Sequence, residues 1–147
     1  MTATAKTTRS ELPARLRLAI ARTARRLRQE SSIGLSPSMT AALSTIERHG
    51  PLSPSRLAEL ERIQRPTATR VIDRLQASGL VERTLDPADG RSRLVAVTAT
   101  GSATLRAIRS RRNAYLARRL DGLSVEELET LEAAAEILER LLDDDPR

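Results

Sequence analysis

Cysteine, tryptophan and phenylalanine are absent from this 147-residue chain, and it has one tyrosine, Tyr115, and one histidine, His49. Without cysteine, the chain can form no disulfide and has no thiol for redox sensing or nucleophilic catalysis. A zinc site is not expected, because one histidine cannot supply the nitrogen and sulfur ligands that zinc prefers. A single aromatic ring also gives no platform for stacking unpaired bases, which disfavours recognition of RNA or single-stranded DNA.

Motifs of the common enzyme classes are also lacking. There is no Walker loop, no HExxH and no GxSxG, and only one histidine is available as a general base. No stretch approaches the roughly 20 apolar residues that span a bilayer, and the first residues, MTATAKTTRSEL, lack the apolar run of a secretory signal. We therefore expect a cytoplasmic protein that is not an enzyme and uses no cofactor or metal.

Positive charge is abundant and unevenly distributed. The chain has 25 Lys and Arg against 19 Asp and Glu, a formal charge of +6, which favours polyanionic partners. Residues 1–30 carry a net charge of +6, whereas residues 101–147 carry −2. Either these two ends attract one another in a dimer, or both are solvated faces.

Residues 66–79, PTATRVIDRLQASG, predict an amphipathic helix with two different faces. Apolar residues recur at i, i+3, i+4 and i+7, which gathers Ala68, Val71, Ile72 and Leu75 into one stripe that must be buried. The opposite face carries Arg70 and Arg74, which repel one another by a few tenths of a kcal/mol at this spacing unless an anion compensates them. We predict that DNA is this anion.

Five other helices are predicted from apolar periodicity and start signals. Ser-Pro pairs open the second and third, a threonine opens the fifth, and the capping box from Ser124 to Glu127 opens the last. They span residues 11–31, 37–48, 54–61, 99–120 and 125–142, with residues 1–10 as a disordered basic tail. The residues expected to be buried on them include Met39, Ala42, Leu43, Ile46, Leu57 and Leu60, and on the last helix Leu128, Leu131, Ala135, Leu138 and Leu142.

A short hairpin is predicted after the central helix. Residues 80–85 and 93–97 form two strand candidates, and residues 86–90, DPADG, supply turn residues between them. Two helices joined by a short turn and followed by a β-ribbon are the pattern of a winged helix-turn-helix. The fold class is therefore mainly α with a small β-hairpin wing.

The long helices outside the winged helix indicate that the rest of the chain serves for dimerisation. Their apolar stripes exceed what the small winged helix needs, and a second copy of the chain is the simplest partner for them. We therefore assign residues 35–100 to a winged helix-turn-helix DNA-binding domain, and residues 11–34 and 101–147 to a helical dimerisation region. An alternative role for the arginine-rich first helix, lying on a membrane surface, is disfavoured because its apolar stripe is narrow and has no Trp or Phe.

The run from residue 52 to residue 101 resembles the winged helix of the MarR family of bacterial transcription regulators. The most specific part is Asp86-Pro87 followed by Asp89-Gly90-Arg91, and then the Val95, Val97-Thr98 and Gly101 positions at the start of the next helix. The order of the outer helices also agrees, so that the resemblance covers about residues 11–142. It implies a homodimeric DNA-binding regulator, more often a repressor than an activator.

The resemblance also implies which residues approach double-stranded DNA. The recognition helix would enter the major groove with Thr67, Thr69, Arg70 and Arg74, and the wing would reach the minor groove with Arg91, held by the charge of Asp89 and assisted by Arg93. Ser53 and Arg56 would contact the DNA backbone. Arg65 stands before Pro66, where a small capping residue is expected, so it is interpreted as a backbone contact, and the exact start of this helix is left open.

Three alternatives stay open at this point. Arg70 and Arg74 could be ordinary surface arginines paired with Asp73 or Glu82. The protein could be a nucleoid-type architectural DNA binder, or a winged helix used as a protein-interaction module. The resemblance also implies a possible response to a small anionic effector, as is frequent in that family. The sequence offers only the arginines of the first helix or His49 as candidates to bind it.

Overall fold

The computed structural model describes residues 9–143, which form six α-helices and one antiparallel β-hairpin. Each predicted element is present, with ends within two residues of the predicted ones. In chain order the elements are α1 (Leu12–Glu30), α2 (Pro37–His49), α3 (Pro54–Glu61), α4 (Arg65–Ala77), β1 (Val81–Leu85), β2 (Arg93–Val97), α5 (Ala99–Leu120) and α6 (Val125–Asp143). The predicted disordered tail lies outside the described residues, apart from Arg9 and Ser10.

The start signals in the sequence form the expected caps. The Ser36 hydroxyl accepts a hydrogen bond from the Met39 amide at 3.3 Å, and the Ser53 hydroxyl accepts one from the Arg56 amide at 3.1 Å. In both helices proline follows the cap, where its missing N–H costs nothing. These caps fix where α2 and α3 begin, and so which residues point into the core.

The hydrophobic core is built mainly by α2, α3, α4 and the hairpin. The predicted inward residues of α2 are all buried, as are those of α4, whereas Leu60 of α3 is only half-buried. The residues with almost no exposed surface are Leu43, Ile46, Leu57, Ile72, Leu75, Leu105 and Val95. The apolar stripe of α4 thus packs into the core and holds the opposite, polar face of the helix at the surface.

The hairpin pairs β1 with β2 in a register that runs from Val81 opposite Val97 to Leu85 opposite Arg93. A third, single-residue strand was not predicted. Leu52 exchanges two backbone hydrogen bonds with Val95, at 3.1 and 2.8 Å. The sequence carries no periodicity for it, because Leu52 stands alone between Pro51 and Ser53. The bridge ties the start of α3 to the base of the wing.

The C-terminal end of α4 is closed by a Schellman motif. The Leu80 amide donates to the Leu75 carbonyl and the Gly79 amide to the Gln76 carbonyl, both at 2.9 Å. Gly79 has φ +71°, a left-handed conformation that glycine adopts without strain. The predicted glycine cap with its following leucine is confirmed, and it turns the chain directly from α4 into β1.

The chain divides into two compact units, one up to residue 112 and one from residue 113 onward. The core described above belongs to the first unit. In a single chain the apolar residues of α1 and α6 are largely uncovered: α1 has no buried residue, and on α6 Leu131 is 48% and Leu142 is 77% exposed. The α6 stripe is thus not buried within one chain, and its predicted burial against a second copy stays a prediction. No helix within residues 9–143 is long and apolar enough to cross a membrane.

Candidate nucleic-acid interface

The start of α4, which the sequence left open, lies one residue before Pro66. Gln64 occupies the N-cap position and makes no side-chain cap bond, while its carbonyl accepts from the Thr67 amide at 2.9 Å and from the Ala68 amide at 3.0 Å. Arg65 is consequently the first helical residue. The sequence left this start open because proline tolerates either of the first two helical positions, and the structure places the N-cap at Gln64. Its exposed side chain projects from the first turn.

The polar face of α4 is exposed along its whole length. Thr67, Thr69, Arg70 and Arg74 are all exposed, opposite the buried stripe. The Thr69 hydroxyl donates to the Arg65 carbonyl at 3.1 Å, inside its own helix. Because its proton is engaged there, Thr69 offers outward a methyl group and an acceptor oxygen, which favours contact with a thymine methyl over donation to a phosphate.

Arg70 and Arg74 are not surface ion pairs of the ordinary kind. Within residues 9–143 neither guanidinium lies within ion-pair distance of a carboxylate. Asp73, one of the two carboxylates considered for them, is instead paired with Arg83 at 2.7 Å. The helix therefore presents two uncompensated positive charges one turn apart, on a rigid element whose other face is buried.

The wing tip is organised by Asp89, although not as predicted. One carboxylate oxygen accepts from the Arg91 amide at 3.1 Å and the other from the Ser92 hydroxyl at 2.8 Å. No described ion pair joins Asp89 to the Arg91 guanidinium, so the predicted charge–charge clasp is wrong. The carboxylate is close enough to hold the backbone turn and leaves the exposed Arg91 side chain free to extend outward.

These hydrogen bonds lower the pKa of Asp89 below its usual value, first through the Arg91 amide and then through the Ser92 hydroxyl. A depressed pKa means that the turn is held at neutral pH and is released as the pH falls from the ordinary aspartate range through the lowered value. We expect an NMR titration of the Asp89 carboxyl carbon to give a midpoint below that of an unstructured aspartate. A midpoint at or above the unstructured value would contradict the cap.

The predicted backbone contacts already have local partners. Ser53 accepts the cap bond of α3, which still leaves its hydroxyl proton able to donate. Arg56 forms an exposed ion pair with Glu59 at 3.0 Å, an interaction worth little and readily exchanged for a phosphate. Arg93, which was predicted to assist the wing and not to contact the backbone, is exposed on β2, opposite the exposed Leu85. The structure thus keeps all three available without showing a ligand for them.

Several arginines with specific contacts were not among the predicted residues, and two of them lie beside features discussed here. Arg83 on β1 bonds to two side chains of α4, and Arg112 on α5 donates from Nε to the Ser31 hydroxyl at 3.0 Å. Neither stands in a local motif, since each meets its partners through the tertiary fold. Strand alternation alone would have placed Arg83 on one side of the hairpin without identifying what lies there.

A short helix, a second helix with one buried and one basic face, and a following hairpin with an arginine at its tip define a winged helix-turn-helix DNA-binding protein. The model of the MarR family matches residues 35–92. The HTH-type transcriptional regulator Mb0904 of Mycobacterium bovis is 38% identical over 138 residues, which cover 93% of this chain and 96% of that protein.

Two further similarities extend this result. The HTH-type transcriptional repressor MdtR of Bacillus subtilis is 31% identical over 95 residues, covering 65% of this chain and 61% of that protein. The structure of a MarR family protein from Bacillus stearothermophilus shares the fold, with a TM-score of 0.78 at 24% identity, covering 92% of this chain and 95% of that one. The chain belongs to the MarR family. It is a DNA-binding transcription regulator and not an enzyme.

Proposed function

We propose that this regulator is a repressor that binds a pseudo-palindromic operator as a homodimer, and that it acts by blocking access to a promoter. The observation that carries the proposal is the exposed, unpaired arginine pair of α4, Arg70 and Arg74, above a fully buried apolar stripe. Such a helix can insert into the major groove and read guanine edges bidentately. The similarity to a protein named as a repressor supports this direction of regulation.

The apolar faces of the outer helices support the homodimer. Most of the exposed large apolar residues lie on α1 and α6. They are Leu12, Leu16, Leu18 and Ile20 on α1, and Val125, Leu128, Leu131, Ile137, Leu141 and Leu142 on α6. In addition, α1 carries six arginines and α6 carries six glutamates. Helices that combine an apolar stripe with opposite net charges suit packing against a second copy of the chain. The second copy would cover the apolar stripes and pair the charges.

The predicted division of the chain follows from this proposal. Residues 35–100 would form the DNA-binding domain, and residues 11–34 and 101–147 the dimerisation region. Two recognition helices would then dock on half-sites about one helical turn apart, so that the symmetry of the operator mirrors that of the dimer. Because its ligand is the chromosome, we place the protein in the cytoplasm of a bacterial cell.

Footprinting separates this proposal from an architectural role. A regulator protects a discrete inverted repeat, whereas a nucleoid-type binder protects DNA broadly. We therefore expect a bounded footprint on fragments from upstream of the protein's own gene, and the same repeat among sequences selected from a random pool. Broad protection and an unenriched pool would contradict the proposal. The protein-interaction alternative is disfavoured because the exposed face of α4 carries no large apolar anchor.

Arg91 is expected to supply a minor-groove contact whose signature is electrostatic. Removing one phosphate or groove contact should weaken binding to all sequences and reduce the slope of log K against log salt by about one. We expect this for Arg91→Ala in fluorescence anisotropy at several salt concentrations. Arg91→Lys should keep most of the salt slope, since it keeps the charge. If the affinity and slope of Arg91→Ala equal those of the unaltered protein, the wing does not contact DNA.

We also propose that a small anionic effector releases the regulator from DNA. A cavity of about 490 Å³ lies in the N-terminal unit, between the end of α1, the segment before α2, and α5. Arg25, Arg28 and Arg112 line it together with apolar Ile33 and Ile108. Positive charge beside apolar wall suits a ligand with a carboxylate or phenolate and a hydrophobic body. His49, the other sequence-based suggestion, does not line this cavity.

The effector proposal can be tested separately from DNA binding. A panel of aromatic carboxylates and phenols, with benzoate as the first probe, would be titrated into the protein–operator complex. We expect release by at least one of them, and loss of that response in Arg112→Ala while operator binding without effector persists. An unchanged response in Arg112→Ala would place the ligand elsewhere, and no response across the panel would contradict this effector class.

A further inference from the structure

One side chain of the wing is directed back at the recognition helix. The Arg83 guanidinium, on β1, donates from one terminal nitrogen to the Gln76 side-chain oxygen and from the other to Asp73 Oδ1, the latter at 2.7 Å. Both acceptors lie on α4. Only 28% of the Arg83 side chain is exposed, so this guanidinium is partly sheltered between the strand and the helix. It is the one described ion pair that joins the wing to α4.

The chemistry of the contact fixes the orientation of both acceptors. A guanidinium has donors only, so the amide of Gln76 must turn its oxygen toward Arg83 and its NH₂ group away. Asp73 is held by the same planar fork, which is a directional contact that a point charge does not reproduce. The negative charge of Asp73, one residue before Arg74, is thereby compensated by the Arg83 guanidinium.

We propose that Arg83 is a positioning residue that latches the recognition helix to the wing, and so sets the angle between the elements that enter the two grooves. This rests on the proposed reading of DNA by α4. Arg83 acts through Asp73 and Gln76 and does not itself contact a base or phosphate. Its loss should therefore reduce discrimination between operator and other DNA, because readout in both grooves needs both elements at a fixed spacing.

Asp73→Asn tests the latch because it should raise the overall affinity for DNA but lower the preference for the operator. Removing a negative charge near DNA should, by electrostatics alone, strengthen binding to every sequence. If Asp73 holds Arg83, the same change should lower the ratio of operator to non-operator affinity by about tenfold, the size expected for side chains coupled in one network. Arg83→Lys should lower the ratio similarly with an unchanged salt slope, since it keeps the charge but cannot bridge two acceptors.

Controls distinguish a latch from a direct contact and from loss of folding. Arg106→Ala removes an exposed arginine of α5 and should leave the ratio unchanged. A salt slope reduced by about one in Arg83→Ala, together with an unchanged ratio in Asp73→Asn, would make Arg83 a phosphate contact and overturn the proposal. Should Arg83→Lys fold poorly, Asp73→Asn carries the test alone, because Asp73 is 56% exposed.

A measurement without DNA keeps the latch testable even if the proposed operator binding fails. Since the chain has no native cysteine, spin labels can be attached at Ala77→Cys on α4 and Thr84→Cys on β1, in protein diluted with unlabelled chain. The label-to-label distance distribution should be narrow, and it should broaden in Asp73→Asn and Arg83→Lys. Unchanged distributions would overturn the latch, whereas absence of operator preference in the unaltered protein would overturn the proposed function alone.

Discussion

Replacing Arg70 with alanine is expected to remove most of the sequence preference of this protein while leaving its fold intact. Arg70 is exposed, has no carboxylate partner within residues 9–143, and stands in the middle of the polar face of α4. A bidentate arginine–guanine contact is worth about 1–3 kcal/mol of discrimination, or about 5- to 150-fold in affinity ratio. We expect a loss of that size, measured as operator against scrambled-operator binding at one fixed salt concentration.

The matched control is Arg106→Ala, which removes the same charge from an exposed site on α5. It should reduce affinity for both DNAs slightly and equally, because it alters only long-range electrostatics. Circular dichroism and sedimentation should find Arg70→Ala folded and in the same oligomeric state as the unaltered protein. If Arg70→Ala still prefers every operator position to the same degree, α4 is not the reading element and the assigned site is wrong.

Replacing Gly101 with alanine is expected to destabilise the fold, because Gly101 is the glycine at which an added Cβ would meet close neighbours. A Cβ at this position would lie 2.1 Å from the Leu80 carbonyl oxygen and 2.8 Å from Val97 Cγ1. The first of these is backbone, so no rotamer change relieves the clash. Overpacking of this kind costs about 1–3 kcal/mol and sometimes more, against about 1 kcal/mol gained from the better helix propensity of alanine.

The clash falls on the junction that connects α4, the wing and α5. Thr98 accepts from the Gly101 amide at 3.0 Å and donates to the Gly79 carbonyl at 2.6 Å, while its own amide donates to the Leu80 carbonyl at 3.1 Å. Displacing Leu80 therefore disturbs the cap of α4 and the cap of α5 together. At about 2–4 °C per kcal/mol for a domain of this size, a net cost of about 2 kcal/mol predicts a melting temperature lower by about 4–8 °C.

Gly122→Ala provides the control, since nothing lies within 4 Å of a Cβ at that glycine. It should melt within about 2 °C of the unaltered protein, because it introduces no contact and reduces the freedom of the unfolded chain. Both variants must be compared at one protein concentration, because the melting temperature of the proposed homodimer would depend on it. A Gly101→Ala protein as stable as Gly122→Ala would mean that the close approach of Leu80 relaxes freely.

Local patterns were sufficient for the elements and for the outward face of α4. The stripe of Ala68, Val71, Ile72 and Leu75 is buried as its spacing requires, and the Ser-Pro pairs cap the helices they were expected to cap. These features depend on neighbours within one or two turns of chain, so a sequence specifies them directly. The exact start of α4 stayed open in the sequence because proline is accepted at either of the first two helical residues.

Long-range contacts account for what the sequence did not reveal. The one local exception is Asp89, which seemed placed to pair with the Arg91 guanidinium, whereas the tight turn brings its carboxylate to the Arg91 backbone amide. Leu52 carries no strand pattern, and its bridge to Val95 exists only because the fold places them side by side. The partners of Arg83 and Arg112 were invisible for the same reason, since 7 to 81 residues of chain separate them from the groups they bind.

By itself, the amino-acid sequence determined that this is a basic, cysteine-free winged helix-turn-helix with two arginines on the exposed flank of its recognition helix. Charge, periodicity and capping are local properties, and they need no knowledge of distant contacts. Tertiary structure alone decided that those arginines have no carboxylate partner within residues 9–143, that Asp73 is engaged by the wing, and that Gly101 must have no side chain. Each of these depends on the approach of segments far apart in the chain, which packing fixes and spacing does not.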